Sequence, residues 1–299
     1  MKIEISVLTS LYKCEEYLKK YFTHVEKIVN LAEVEFIFIH NDPTEKEKEI
    51  IENFLKLDKI NYQYIEVPRE GLYKSWNRGI KMAKGDFIAV WNVDDVRYPE
   101  SLKQQKLYLR EHLNIMIVYG NKYIITSTNH NTKYLSKPNN VKLKKGCEKF
   151  QDGAFLMWRK SVHESVGLFD EQLKICGDQD FWYRVTKEFY VAKIEFILGE
   201  FENIANNGLS SKSENMKERI VILFRYGFWS PYFLLDIFSV RKNYDIKNIY
   251  NEGKKLPLKN RYLTFCNFIL FFSNFIKSIL LTIIKIINPK HSIFSHRTF

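Results

Sequence analysis

"GLYKSWNRGIKMAKGDFIAVWNVDDVRYPES", residues 71–101, changes its period twice, and those changes decide the fold. The run from Gly71 reads as a helix closed at Gly85, and "DFIAVWNV" after it as a buried strand. Pro99 forbids the strand from continuing and, with Glu100, opens another helix. The alternation extends upstream. "KIEISVLTS" reads as a strand and "CEEYLKKYFTHVEKIVN" as a helix, with Tyr17, Leu18, Phe22, Val25, Ile28 and Val29 at helical spacing. "EVEFIFIH" and "INYQYIEV" are further strands, separated by the helical "TEKEKEIIENFLKL". Strands alternating with helices predict an α/β fold whose parallel sheet is covered on both faces. Ligands of such sheets sit outside the carboxyl ends of the strands. That rule singles out the loops at 9–13, 40–44, 68–71 and 92–97.

Beyond residue 100 the pattern becomes mixed. A helix over "PESLKQQKLYLREHL" and a strand over "IMIVYGNKYIIT" precede a polar stretch, 127–145, that reads as a surface loop. "GAFLMWRKSVHESVGLFDEQLKICGDQDFWYRVTKE" and "VAKIEFILGEF" then read as α+β sequence suited to a second substrate.

Composition narrows the function classes. The 299-residue chain is 45% hydrophobic and 27% charged, ordinary globular usage, with a formal net charge of +11. The excess gathers at one end: Lys254, Lys255, Lys259, Arg261, Lys277, Lys285, Lys290 and Arg297 have no acidic residue among them. They bracket an apolar stretch, 265–287, in which Asn267, Asn274, Ser278, Thr282 and Lys285 fall on one helical stripe. This arrangement fits a helix lying on an anionic lipid surface, with a membrane span or docking on protein as alternatives. Nucleic acid would call for basic residues interleaved with aromatics over the folded part, so no nucleic-acid partner is expected. Cys14, Cys147, Cys176 and Cys266 lie far apart with no CxxC spacing, which favours free thiols over zinc or disulfides. No export signal is evident in "MKIEISVLTS", so a cytoplasmic location, peripheral to the membrane, is expected.

Two acidic constellations carry the chemistry. Asp94 and Asp95 end the strand of the opening stretch. They suit either a turn and helix cap or a hard divalent cation, which binds oxygen ligands and neutralises a diphosphate. In "CGDQDFWYR", Asp178 and Asp180 precede a buried-looking helical face ending at Arg184. A structural cap is one reading of these carboxylates; a general base for a hydroxyl nucleophile is the other. His163 reads as a hydrogen-bonded helix histidine. Trp76 reads equally as core or as a nucleotide neighbour.

Three of these segments, in this order, resemble the family 2 glycosyltransferases of the GT-A fold. "ISVLTSLYKCEEYL" looks like the family's opening strand, loop and helix, and "GLYKSWNRGIKMAKGDFIAVWNVDD" its run into a DxD-type motif. "GLFDEQLKICGDQDFWYR" is similar to its acceptor-side segment. The resemblance, over about residues 3–210, implies a Rossmann-like nucleotide-binding α/β fold with a mixed central sheet. It implies a domain over 1–212, with a nucleotide-sugar half at 1–100 and an acceptor half at 101–212. A C-terminal helical extension, 213–299, would follow. It makes Asp178 the general base of an inverting transfer, with Asp180 and Arg184 in support. Asp94 and Asp95 become ligands of Mg²⁺ or Mn²⁺, and Ser10, Tyr12, Asn41, Asp42, Trp76, Asn77, Asn92 and Asp94 become donor contacts. Asn92 stands where the family's first aspartate usually does, Ser10 replaces a proline, and His40-Asn41 replaces an acidic pair. A metal-binding histidine common among relatives is absent from "ENIANNGLSSK", where Asn203, Asn206 or Asn207 would line the loop instead. The implied partners are a nucleotide-sugar donor, a UDP-sugar first among them, and a glycan or lipid-linked acceptor. A nucleotidyltransferase, the rival enzyme, expects a glycine-rich basic loop after the first strand, and "TSLYKCEEYL" has no glycine. A basic membrane-surface protein without catalysis is the other rival.

Overall fold

The computed structural model describes residues 2–126, 133–138, 153–203, 214–226 and 243–259, together with 276, 279, 280, 282 and 283. Asn206, Asn207, the loop at 204–213 and most of the stretch 265–287 lie outside the described residues. The chain divides into two compact units, one of residues 1–212 with 251–254 and one of 213–250 with 255–299.

The first unit opens with the alternation read from the sequence. Strands β1 (Ile5–Leu11), β2 (Val34–Asn41), β3 (Asn61–Val67) and β4 (Phe87–Val90) are separated by helices α1 (Glu15–Val25), α2 (Glu45–Leu55) and α3 (Leu72–Met82). The neighbours β3-β2, β2-β1 and β1-β4 are all parallel. β2 is buried along its whole length, which explains its apolar run Phe36–Ile39, whereas edge strand β3 carries polar and exposed residues. The two faces of the sheet alternate as strand geometry requires. Ile5, Val7, Leu11, Phe36 and Phe38 pack with Leu18 and Phe22 of α1 and Ile51 of α2. Leu8 and Ile39 face the other way, toward α3, where Gly79 lets the helix approach closely. A Cβ at Gly79 would lie 2.8 Å from Leu8 Cδ2.

The sheet then turns mixed. After β5 (Val96–Arg97) and α4 (Ser101–Glu111) come β6 (Ile115–Ile125), β7 (Lys133–Ser136), β8 (Met157–Arg159), α5 (Val162–Val166), α6 (Gly177–Thr186) and β9 (Tyr190–Glu202). Strand order is β3-β2-β1-β4-β8-β6-β9-β5, with β7 against β6. β8 is antiparallel to both β4 and β6, while β9 runs parallel to β6 and antiparallel to β5. The stretch read as a loop from 127 to 145 therefore contains a strand, because Lys133–Ser136 finds ladder partners on β6.

In the second unit, α7 (Glu214–Tyr226) buries Ile220, Val221, Ile222 and Tyr226. The buried Arg225 guanidinium donates to the carbonyls of Asp245, Ile246 and Asn248, at 2.8, 3.1 and 2.8 Å. Strands β10 (Asn248–Asn251) and β11 (Lys254–Pro257) form a hairpin whose tip, Glu252-Gly253, is counted with the first unit and has positive φ at both residues. Toward the C-terminus, Ile276, Ile279, Leu280 and Ile283 are helical and exposed. Among the described residues, no helix is long and apolar enough to cross a membrane.

Two buried polar clusters tie the first unit together. Glu47 closes a capping box with Thr44 and accepts from the Cys14 amide at 2.6 Å. It also lies 3.3 Å from His40 Nε2, whose Nδ1 is 2.8 Å from the Tyr64 hydroxyl. Burial, and then the Glu47 charge, push the Cys14 thiol far above its ordinary range. In the second cluster, His163 Nδ1 donates to the Gly167 carbonyl (3.0 Å) and Nε2 accepts from the Trp158 indole (2.9 Å). Both ring nitrogens are thus committed to the neutral imidazole, the structural reading the sequence favoured. Burial lowers the pKa of His163 to about 4. Below the unfolded value of about 6.5, the unfolded chain takes up a proton that the folded one refuses until about pH 4. Stability should therefore fall by about 3 kcal/mol as pH drops through that window. Urea unfolding between pH 7.5 and 4.5 measures this, and His163→Gln should flatten the dependence by close to one proton. Parallel pH dependences in the two proteins would refute it.

Candidate active site

The acidic turn is built where β4 runs out. The Trp91 amide still donates to the Leu8 carbonyl (3.1 Å), continuing the ladder, and the chain then reverses. The Asp95 amide donates to the Asn92 carbonyl at 3.1 Å, which closes a turn with Val93 and Asp94 at its corner. This one bond separates two carboxylates that look equivalent in sequence. Asp94 is left partly exposed at the corner, whereas Asp95 is 3% exposed. Asp95 Oδ2 accepts from the Asn92 side chain (3.2 Å) and Oδ1 from the Glu202 amide (3.1 Å). The Trp91 indole donates to the Asp95 carbonyl at 3.0 Å. Asp95 is therefore placed as a brace between the turn and the end of β9, with Asn92 as its partner, and the outward carboxylate is that of Asp94.

Behind the turn lie two cations that the sequence reading passed over. Buried Arg97 donates to the Val90 carbonyl (3.0 Å) and to Gln105 Oε1 (2.9 Å), and its guanidinium lies over the Phe155 ring. Lys122, on β6, is also buried, 5.1 Å from the Phe201 ring centroid. Burial lowers Arg97 to about 9 and Lys122 to about 8, with the charge of Asp95 opposing both shifts. Burial raises Asp95 well above the usual carboxylate range, and the charge of Asp94 adds to the effect. Asp94 is raised by burial and by the charge of Glu202, with Lys20 opposing. A cation at the corner would relieve this surplus. One or two carboxylates plus substrate phosphate oxygens make a donor set suited to Mg²⁺, so Asp94 with the donor's own oxygens fits a hard cation. Among the described residues, no group of three or more His, Cys, Asp or Glu side chains is placed to hold a metal.

The carboxyl ends of β1 and β2 carry a second polar cluster. Asn41 donates to Ser10 Oγ (3.1 Å) and Ser75 Oγ (3.0 Å) and accepts from the Glu70 amide (3.2 Å). Glu70 in turn accepts one bifurcated bond from Arg78 Nε, at 2.9 Å to each oxygen. Asn41 is fully buried, so it shapes this edge from within, while the partly exposed Ser10 and the exposed Asp42 border solvent. Lys13 and Asp42 both hold positive φ, 48° each. Tyr12 lies beside them with the Arg69 guanidinium 3.5 Å over its ring, an aromatic face flanked by positive charge.

Asn77 is buried and bound to a neighbouring loop. Its amide donates to the Phe169 carbonyl (2.9 Å) and Glu171 Oε1 (3.0 Å), and its oxygen accepts from the Phe169 amide (2.9 Å). Trp76 packs edge-on against Tyr73 and Phe169, which makes it part of the aromatic core between α3 and the 169–171 loop. Sequence reading could not separate these two from solvent-facing neighbours, since an amide and an indole suit either environment.

Asp178 sits in the first turn of α6, where the helix dipole favours a carboxylate. Its Oδ1 accepts from the Gln179 amide (2.8 Å) and from the Tyr73 hydroxyl (3.2 Å). Asp180 and Arg184 are fully buried; Arg184 Nε donates to Asp180 Oδ2 at 2.9 Å and Nη1 to the Val166 carbonyl. Asp180 thus spends its carboxylate on an ion pair within α6, one turn along the helix. Asn203 is exposed, and its amide donates to the Ile125 carbonyl (2.9 Å).

Comparison with known proteins bears on this arrangement. The family profile described as Glycosyl transferase family 2 matches residues 6–167. An uncharacterized glycosyltransferase of Methanocaldococcus jannaschii is 29% identical over 210 residues, 65% of this chain and 69% of the relative. One of Rickettsia conorii is 32% identical over 149 residues, 46% of this chain but only 24% of that protein. Among solved structures, S. aureus TarS 1-349 in complex with UDP-GlcNAc superposes with a TM-score of 0.61 at 17% identity, covering 74% of this chain and 65% of TarS 1-349. The mannosyltransferase PcManGT from Pyrobaculum calidifontis, in complex with GDP-Man and Mn²⁺, gives a TM-score of 0.54 at 10% identity, covering 81% and 69%. The mixed sheet and its flanking helices are thus those of the GT-A fold. With the profile matching more than half of the chain, on a fold that sets acidic residues where a parallel sheet opens, the chain belongs to glycosyl transferase family 2.

Proposed function

We propose that the protein transfers a sugar from a nucleoside-diphosphate sugar, a UDP-sugar foremost, to a hydroxyl of a glycan or lipid-linked acceptor, with inversion at the anomeric carbon. The observation that carries this reading is the pair of carboxylates on separate segments: Asp94 at a partly exposed corner beyond β4, and Asp178 in the first turn of α6. Asp178 takes the acceptor hydroxyl's proton as the oxygen attacks and the bond to the diphosphate breaks. Asp94 is the residue that would hold Mg²⁺ or Mn²⁺. Such an ion supplies compensation for the charge of the diphosphate. The ring of Tyr12, flanked by Arg69, offers a stacking face and positive charge for the nucleotide, bordered by Ser10 and Asp42.

A panel of nucleotide sugars, scored for hydrolysis and thermal stabilisation with and without Mn²⁺, should single out one donor. Asp178→Asn should lower turnover of that donor by about 10³-fold while leaving its binding intact. Full turnover in that variant would remove Asp178 from the mechanism. Asp94→Asn should abolish the Mn²⁺ stimulation and weaken donor binding by about tenfold or more, read by titration calorimetry; unchanged metal dependence would dismiss Asp94 as ligand.

The exposed Ile276, Ile279, Leu280 and Ile283, spaced at helical intervals within a basic segment, support a further reading. Residues 254–299 rest on an anionic membrane surface, where a lipid-linked acceptor would be found. The full chain should sediment with phosphatidylserine-containing vesicles and lose that binding on truncation at 254; equal sedimentation of the two would refute it.

A further inference from the structure

The hydroxyl that reaches Asp178 comes from α3, on the nucleotide half of the first unit. The single Tyr73 Oη proton is donated in a bifurcated bond, its short branch to the Ile175 carbonyl at 2.6 Å and its long branch to Asp178 Oδ1 at 3.2 Å, so one group engages both the main chain leading into α6 and the carboxylate on its first turn. Its ring is held on several sides. It stacks on Phe169 (5.7 Å between centroids, 22° between planes) and meets Trp76 edge-on at 5.4 Å. The approach to α6 is so close that a Cβ on Gly177 would lie 2.6 Å from the Tyr73 ring carbons. The residue before Asp178 must therefore lack a side chain for the phenol to sit where it does. Two residues along α3, Ser75 joins the Asn41–Ser10–Glu70 cluster at the ends of β1 and β2. A single turn of helix thus touches the nucleotide edge and the acceptor-side carboxylate.

We propose that Tyr73 is a positioning residue for the transfer reaction. It fixes the Asp178 carboxylate in register with the nucleotide edge, through its hydroxyl and through the ring seated on Gly177. This rests on the reading of Asp178 as general base. In the step it serves, the acceptor oxygen bonds to the anomeric carbon, the carbon–diphosphate bond breaks with its electrons leaving on the diphosphate, and the acceptor's proton passes to Asp178. A base displaced by even an ångström loses much of the advantage of proximity. The nucleotide contacts need not change when it moves.

The test is steady-state kinetics of the full chain with its best donor from the panel. Tyr73→Phe keeps the ring and its stacking while deleting the hydroxyl whose one proton Ile175 and Asp178 share. It should lower kcat by about 10–100-fold and leave the donor KM within about twofold. Gly177→Ala, which displaces the ring, should show the same split, and it serves as the second variant should Tyr73→Phe fold poorly. In an Asp178→Asn background, Tyr73→Phe should add no further loss to the residual rate, whereas a general folding defect would multiply with it. If Asp178→Asn is inactive yet Tyr73→Phe and Gly177→Ala turn over as the wild type does, the role of Tyr73 is overturned and that of Asp178 stands. If Asp178→Asn turns over normally, the base assignment falls and the positioning role falls with it. A rise in donor KM matching the fall in kcat, or a multiplicative loss in the double variant, would mark Tyr73 as merely structural.

Discussion

A buried carboxylate with both oxygens hydrogen-bonded holds the acidic turn in shape. Asp95 joins the turn after β4 to the last residue of β9, although these segments lie 107 positions apart in the chain. A buried carboxyl group is tolerated only when its oxygens find donors and opposite charge lies near it. Asn92 and the Glu202 amide supply the donors, and Arg97 and Lys122 supply the charge. Arg97 carries the constraint further, through Gln105, whose amide donates to the Phe155 carbonyl (2.7 Å). The partly exposed Asp94 thus stands on a corner whose base is locked into β6, β9 and α4. The same reasoning gives Gly199 its importance: its Cβ would lie 2.0 Å from the Val96 carbonyl, so the β5–β9 contact that closes the turn leaves no room for a side chain.

The two candidate carboxylates are kept apart by different physics. Asp94 owes its position to a turn and its raised pKa to burial among like charges. Asp178 owes its position to a helix start and to donors from its own backbone and a neighbouring helix. A group steeped in negative charge suits holding a cation, and one oriented by hydrogen bonds suits taking a proton.

Much of this was legible in the sequence, for physical reasons. β2 is buried on both faces and β3 lies at an edge, so one reads as an apolar run and the other as an alternating one. Pro99 marks the break after the acidic turn, and three motifs in order pointed to the family. Neighbour relations between distant segments were not legible. The two-residue β5, the strand hidden in 127–145 and the Asp95–Glu202 bond all depend on partners far along the chain. Nor could sequence tell Asp94 from Asp95, or a buried Asn41 from an exposed Asp42, since residue type is blind to which side of a turn faces water. Lys122 left one faint trace, a lone cation in the otherwise uncharged strand "IMIVYGNKYII", and Tyr73 left none.

Cys14 gives the β1–α1 edge of the sheet an internal reporter. Its thiol is buried beside the Glu47 carboxylate, at the start of the helix that follows Tyr12 and Lys13. Only the thiolate reacts readily, and this environment suppresses it on both counts, by desolvation and by like charge. Alkylation at Cys14 can then proceed only through molecules in which the β1–α1 connection has opened. The rate of labelling at this one atom becomes a clock for how often that edge of the protein comes apart, and a ligand that closes the edge would slow it.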